Sequence, residues 1–309
     1  MRILVMGSGG VGGYYGGMLA SAGNEVTFVA RGAHLAAIMA KGLELRTQGK
    51  TIRIRPAGAT DDPATAGDVE LALFTVKTYD TEPAARALKP AVGPRTSVLT
   101  LQNGIDSVDT LSAILGADRV LAGVTFVASG VASPGVIAEN GFSRQIVVAE
   151  PNGGSSERVA RIAETFKAAD LDVRVRDDGR QAIWEKFALL APHASVSAAV
   201  GLPIGQIFSV DEAVELYRTL VREFVAVATA TGVTLPRDTE EKIIANFKGA
   251  PPGQTSSLQR DFAAQRRVEL DYITGTVVRR ARQLGLATPA FDALYAVLKT
   301  RAIGFGGLT

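Results

Sequence analysis

The chain has 309 residues, roughly twice the length of an average domain, with 47% hydrophobic and 21% charged residues, as expected of a folded globular protein. With 33 Lys and Arg against 31 Asp and Glu the formal charge is only +2, too balanced for a surface whose main task is to hold nucleic acid. There is no cysteine, and His34 and His193 are the only imidazoles, so disulfides, thiol catalysis and thiolate-bound metals are excluded and a zinc site lacks ligands.

No apolar run approaches the ~18 residues of a membrane span, and no leader pattern precedes the first strand. A soluble, unprocessed, cytoplasmic protein is expected. In chain order, from Arg2 to about Arg176, β-branched runs alternate with Ala-rich helical stretches. The candidate strands are "RILVM", "EVTFVA", "VELALFTV", "TSVLTL", "RVLAGVTFVA", "QIVVAE" and "LDVRVR". Such alternation predicts an α/β fold, a doubly wound parallel sheet of Rossmann type. "GLELRTQGKTIRIR" instead has the pattern of a hairpin with Gly49 at its turn. From Gln181 onward Ala, Leu, Val and Arg recur at helical spacing, broken by Gly and Pro clusters at 201–205 and 249–253. The boundary is set near 178. It separates a dinucleotide-binding domain, 1–178, from an all-helical substrate and dimerisation domain, 179–309, whose apolar stripes are either internal or the faces of a homodimer.

Gly7-Ser8-Gly9-Gly10-Val11-Gly12 follows the first strand and opens a helix-compatible stretch, and "EVTFVA" arrives within about 30 residues, as a dinucleotide-binding βαβ unit requires. Gly7 would permit the tight turn, Gly9 the approach of a pyrophosphate and Gly12 close helix packing. The phosphates would lie at the helix N-terminus, where unpaired N–H groups and the helix dipole favour negative charge. The second strand ends Val29-Ala30-Arg31, without the carboxylate that binds a ribose 2′-OH. An arginine there suits a 2′-phosphate, so NADP is favoured over NAD. Two further strands run into polar residues at their carboxyl ends. Lys77 follows "LALFTV" and is a cation for cofactor phosphate or ribose; Asn103 follows "SVLTLQ" and offers an amide to nicotinamide ribose or substrate.

In the helical half, "QAIWEKFALLAPHASVSAAV" aligns Ile183, Phe187, Leu190 and Ala194 on one stripe. Lys186 lies about 40° from Leu190, at the edge of that stripe. His193 lies about 10 Å farther along, beyond a bend expected at Pro192. Ser256 followed three residues later by Gln259 reads as a capping box opening a long helix. On that helix Leu258, Phe262, Glu269 and Ile273 would fall within roughly 60°. A carboxylate on a core-facing stripe needs a partner, and Lys186 is the obvious one, either as an internal salt bridge or as half of an active site. A partly desolvated lysine shifts its pKa readily, as a proton donor near neutrality requires.

With "GSGGVG" and Arg31, "VKTYD", "LQNGID", "AIWEKF" and "SSLQRDFAAQRRVELDYITG" in this order, the chain resembles the ketopantoate reductases (2-dehydropantoate 2-reductases) nearly end to end. The resemblance implies a Rossmann domain, a helical domain and a cleft between them. It also implies NADPH-dependent reduction of a small-molecule 2-oxo acid, 2-dehydropantoate to pantoate, in pantothenate biosynthesis. By matching motif positions, Lys186 would protonate the alkoxide and Glu269 orient the substrate. Asn103 and Ser257 would be polar substrate contacts, and Arg31 and Lys77 cofactor contacts. The chain departs from the family's pattern where asparagines follow the lysine: here stand Leu190, Ala194 and Ile204. Apolar side chains in place of amides predict a bulkier or less hydroxylated 2-oxo acid, with His193 replacing a lost polar contact. Two other readings stand beside this one: an NADP-dependent hydroxy acid or opine dehydrogenase, and an NADP-binding sensor without turnover.

Overall fold

A computed structural model describes residues 1–139, 141 and 143–308. The chain forms two compact units, Met1–Gln102 with Asp106–Ile183, and Asn103–Ile105 with Trp184–Thr309. In the first, β1 (Arg2–Met6), α1 (Gly10–Ser21), β2 (Glu25–Val29) and α2 (Gly32–Lys41) lead into a hairpin of β3 (Leu43–Thr47) and β4 (Lys50–Ile54). There follow β5 (Gly58–Thr60), β6 (Leu71–Phe74), α3 (Thr81–Leu88), β7 (Ser97–Thr100), α4 (Ser107–Leu115) and β8 (Val120–Thr125). The unit continues through β9 (Ser129–Ser133), β10 (Val136–Glu139), β11 (Ile146–Ala149), α5 (Glu157–Ala168) and β12 (Val173–Val175).

The main sheet has the order β12-β11-β8-β7-β6-β1-β2-β5. Strands β6, β7 and β8 are buried at every residue, as strands covered on both faces must be. The chain enters at β1, adds β2 on one side and later β6 on the other, so the order reverses at β1. Ligands of such sheets collect beyond the strand ends at this switch point. All seven candidate strands form, but the sheet is not wholly parallel: β11 runs antiparallel to β8, and β12 follows β11. Parallel neighbours need a crossover, usually a helix. Between β8 and β11 the chain instead makes the strand pair β9 and β10.

That pair belongs to a second sheet, β4-β3-β10-β9, which sequence patterning missed apart from its hairpin. Most of β9 is exposed and lacks apolar alternation. The β3–β4 turn has φ 47° at Gln48 and 71° at Gly49, the two positive values a tight hairpin turn demands. Helix α1 lies between the sheets. A Cβ on Gly16 would come within 2.6 Å of Val5 and Phe28, and one on Gly13 within 2.6 Å of Ile137 in β10. Several of the amino-terminal glycines therefore serve a helix pressed from two sides rather than a ligand. Each disfavours the helix by about 1 kcal/mol relative to alanine. Burial of Tyr14, Tyr15 and Leu19 offsets this loss.

From Gly179 onward the chain is helical: α6 (Gly179–Val200), α7 (Ile204–Ile207), α8 (Asp211–Ala230), α9 (Thr239–Lys248), α10 (Ser257–Ala263), α11 (Leu270–Gln283) and α12 (Pro289–Ile303). In the second unit α8 is central, with α9, α11 and α12 packed on it. Its buried residues, from Val214 and Tyr217 to Phe224 and Ala228, recur at three and four positions as an amphipathic helix requires. Trp184 and Phe187 stack on Phe224 at 5.5 and 5.6 Å. Helix α6 continues through Pro192.

The single long helix expected from Ser256 is two. Helix α10 stops at Ala263, and Gln265 takes a positive φ of 50°. The Arg266 guanidinium folds back onto Asp261 at 2.7 Å and its N–H binds the Asp261 carbonyl, closing the turn. Glu269 consequently sits at the N-terminus of α11, and the helical-wheel alignment with Leu258 does not apply. The capping box is half made: Ser256 Oγ accepts the Gln259 N–H at 3.0 Å. Gln259 Oε1 has no hydrogen-bond partner among the described residues. No helix among them is long and apolar enough to cross a membrane.

Candidate active site

In the first unit, the turn from β1 to α1 is held residue by residue. Gly7 has φ 101°, and a Cβ there would meet the Val76 backbone nitrogen at 2.8 Å. The Thr75 hydroxyl donates to its carbonyl at 2.7 Å. Ser8 is buried, and its N–H and hydroxyl both donate to the Val29 carbonyl, at 3.0 and 2.9 Å. A Cβ on Gly10 would strike the Ser129 carbonyl at 2.4 Å, and one on Gly12 the Gly7 carbonyl at 2.2 Å. Val11 packs against the core beneath. Gly9 differs from the other glycines of the turn, because a Cβ there would find no atom within 4 Å.

Open space therefore stands before the first N–H groups of α1, whose first turn carries no acidic residue. Those N–H groups have no partner within the helix. These features fit a dinucleotide pyrophosphate. Arg31 is exposed at the N-cap of α2, just past β2, with no carboxylate at the strand end. Lys77 is half-buried where β6 passes into a turn at Thr78–Asp80. Sequence reasoning overlooked Gln102, whose amide nitrogen donates to the Val76 carbonyl at 3.0 Å and to the Thr81 hydroxyl at 2.9 Å. It ties the loops after β6 and β7 together; a lone glutamine at a strand end carries no signal of that task.

In the second unit three residues far apart in the chain come together. Lys186 Nζ donates to Asn103 Oδ1 at 2.8 Å. Because an ammonium only donates, the Asn103 amide must turn its oxygen to the lysine and its NH2 outward. Desolvation lowers the Lys186 pKa from 10.5 to about 8, opposed by the charge of Glu269. Glu269 itself is 5% exposed. The charge of Glu269 thus acts on Lys186, although the helical-wheel rationale for bringing them together does not apply. An ammonium with a pKa near 8, held by an amide and a carboxylate, remains mostly protonated at neutrality and is close to the pH where proton donation is efficient.

The remaining candidates lie elsewhere in that unit. Leu190 is half-buried, whereas Ala194 and Ile204 are 1% and 0% exposed. Ser257 is the half-buried first residue of α10. His193 packs on Phe247 at 4.7 Å, and its Nδ1 lies 3.0 Å from the Tyr217 hydroxyl. Its Nε2 has no hydrogen-bond partner among the described residues. Burial lowers its pKa from 6.5 to about 4, assisted by Arg260, so the imidazole is neutral. Nothing in its contacts joins it to Lys186.

The family model for ketopantoate reductase PanE/ApbA matches residues 3–153, and that for the C-terminal region of the same family matches residues 178–302. The chain belongs to the ketopantoate reductase family. Among ketopantoate reductase relatives, the 2-dehydropantoate 2-reductase of Caulobacter vibrioides is 33% identical, over 97% of this chain and 99% of that protein. The enzyme of the same name from Mesorhizobium japonicum is 32% identical, over 99% of each chain. The crystal structure of a PanE/ApbA family ketopantoate reductase from Ralstonia eutropha JMP134 superposes with a TM-score of 0.91 at 36% identity, covering 99% of this chain and 100% of that one.

Proposed function

We propose that the protein is an NADPH-dependent 2-oxo acid reductase that converts 2-dehydropantoate to pantoate. The carrying observation is the half-buried ammonium of Lys186, bonded to Asn103 at 2.8 Å and lowered to a pKa of about 8. When bound, NADPH supplies the hydride taken up at C2 of the oxo acid. The turn from Gly7 to Gly12, with Ser8, Gly9, Gly10 and Val11 between, would hold its pyrophosphate on backbone N–H groups. Arg31 would take the 2′-phosphate, and Lys77 a phosphate or ribose oxygen.

Lys186 stabilises the negative charge that develops on the C2 oxygen and then transfers its proton to it, giving the hydroxy acid. Glu269 keeps the lysine charged in a desolvated place and, together with Ser257 and the outward NH2 of Asn103, orients the substrate. The cofactor-binding role is assigned to domain 1–178 and the substrate-binding role to domain 179–309. The test is a panel of 2-oxo acids scored by NADPH oxidation. NADPH-dependent turnover of 2-dehydropantoate is expected, and no turnover of any 2-oxo acid would refute the reading.

Apolar side chains at Leu190, Ala194 and Ile204 favour a second reading, in which the preferred 2-oxo acid is bulkier or less hydroxylated and His193 supplies a polar contact. The same panel decides between them. A preference for 2-dehydropantoate by orders of magnitude over apolar 2-oxo acids eliminates the second reading.

A further inference from the structure

Neither the family likeness nor the proposed chemistry uses His34, which lies in the first turns of α2. Its imidazole bridges two backbone groups, those of Ser8 and Gly135, that are far apart in the chain. Nε2 lies 2.8 Å from the Ser8 carbonyl oxygen in the β1–α1 turn, and Nδ1 accepts the Gly135 N–H at 3.0 Å. A carbonyl only accepts and an amide N–H only donates, so the partners dictate the tautomer: the proton is on Nε2 and Nδ1 carries the lone pair.

Both partners are themselves pinned. Gly135 has φ 78° in the β9–β10 turn, and its carbonyl accepts the Glu44 N–H at 2.8 Å, anchoring that turn to β3. Ser8 is tied through N–H and hydroxyl to Val29. His34 therefore links the second sheet to the one residue whose carbonyl sets the direction of the next peptide. In a planar trans peptide the C=O of Ser8 and the N–H of Gly9 point in opposite directions. Holding the carbonyl toward α2 aims the Gly9 N–H away from α2. Gly9 is also the glycine of the turn beside which a Cβ would find no neighbour.

We propose that His34 is a positioning residue for cofactor binding: through the Ser8 carbonyl it orients the Gly9 N–H that donates to the dinucleotide phosphate. The proposal rests on the cofactor reading above. Thr75 and Val29 hold the turn in place, and His34 sets the rotation of its central peptide plane. Its substrate-side consequence is nil, because it touches neither the oxo acid nor the reacting carbon.

The test measures NADPH dissociation constants by ligand fluorescence, together with steady-state constants, for the full-length wild-type protein, His34→Leu and His34→Gln. Leucine removes both hydrogen bonds, whereas glutamine offers one donor and one acceptor from a side chain of similar reach. His34→Leu is expected to raise the dissociation constant and the KM for NADPH about tenfold, the weight of one well-made hydrogen bond. Its kcat at saturating NADPH and its KM for the oxo acid should stay within about twofold, and His34→Gln should recover most of the affinity. Two results overturn the proposal: His34→Leu binding NADPH as tightly as wild type, or His34→Leu and His34→Gln losing affinity equally in step with a lowered melting temperature. Wild-type protein that binds no NADPH would instead overturn the cofactor reading itself, so the two failures are distinct.

Discussion

The turn at Gly7–Gly12 and the cluster around Lys186 are built in opposite ways. The first is made of backbone: the first N–H groups of α1 have no partner within the helix, and the absent side chain leaves the room at Gly9. The second is made of side chains that the chain supplies from positions 103, 186 and 269. A backbone site tolerates no added volume, while a side-chain site tolerates no lost charge. The two should therefore fail differently under substitution.

The largest effect is expected from charge removal. Lys186→Met should lower kcat by about a thousandfold, the scale of a lost proton donor and oxyanion partner, while leaving the NADPH dissociation constant within a few-fold. Comparable losses in NADPH affinity and turnover would erase the distinction between the sites. In the wild-type enzyme the rate of reduction should fall as pH rises through about 8, because the reaction needs the protonated lysine. A pH–rate profile flat up to pH 10 would count against Lys186 as the acid.

Next come the glycines. Gly9→Val has room for its Cβ but fills the open space, so NADPH affinity should drop about a hundredfold while the melting temperature holds. Gly12→Ala places a Cβ 2.2 Å from the Gly7 carbonyl and should instead destabilise the fold, by about 1–3 kcal/mol in urea denaturation. If both variants behaved alike, ligand space and packing space would not be separable in this turn.

Arg31→Ala should cost about tenfold in NADPH affinity and little in NADH affinity, since an exposed guanidinium is well screened. Equal losses for both cofactors would argue against a 2′-phosphate contact. The smallest change in activity is expected at His193, where the readout is stability. Its folded pKa of about 4 lies below the ordinary 6.5, so in that window the unfolded chain binds a proton that the folded chain refuses. Stability from this residue is present above 6.5 and lost as pH falls toward 4, with a slope of at most about 1.4 kcal/mol per pH unit. His193→Phe should flatten that acid slope in urea titrations and leave NADPH binding unchanged.

Much of this was legible beforehand where the signal is local. The seven strand runs, the hairpin at Gln48–Gly49 and the change to helix near residue 179 follow from hydrophobic periodicity and turn chemistry, which act over a few residues. The glycine turn was legible for the same reason. The reversed pair β11 and β12 and the second sheet were not, because strand direction depends on partners that β9 offers no pattern to identify. Glu269 was singled out by a helical wheel drawn through a helix that breaks at Ala263, so its electrostatic influence on Lys186 comes from a register the wheel did not describe.

By itself, then, the order of residues determined the strands of the main sheet that carry apolar runs, the hairpin, the change to helix, the βαβ glycine turn and the residue types able to bind phosphate or donate a proton. Only the tertiary structure decided that several glycines serve packing of α1 between two sheets, that Asn103 and Lys186 meet, and that His34 bridges Ser8 and Gly135. The reason is physical. Periodicity and capping are short-range properties of a chain, whereas desolvation, close approach and a tautomer fixed by two distant partners exist only once the backbone has been folded around them.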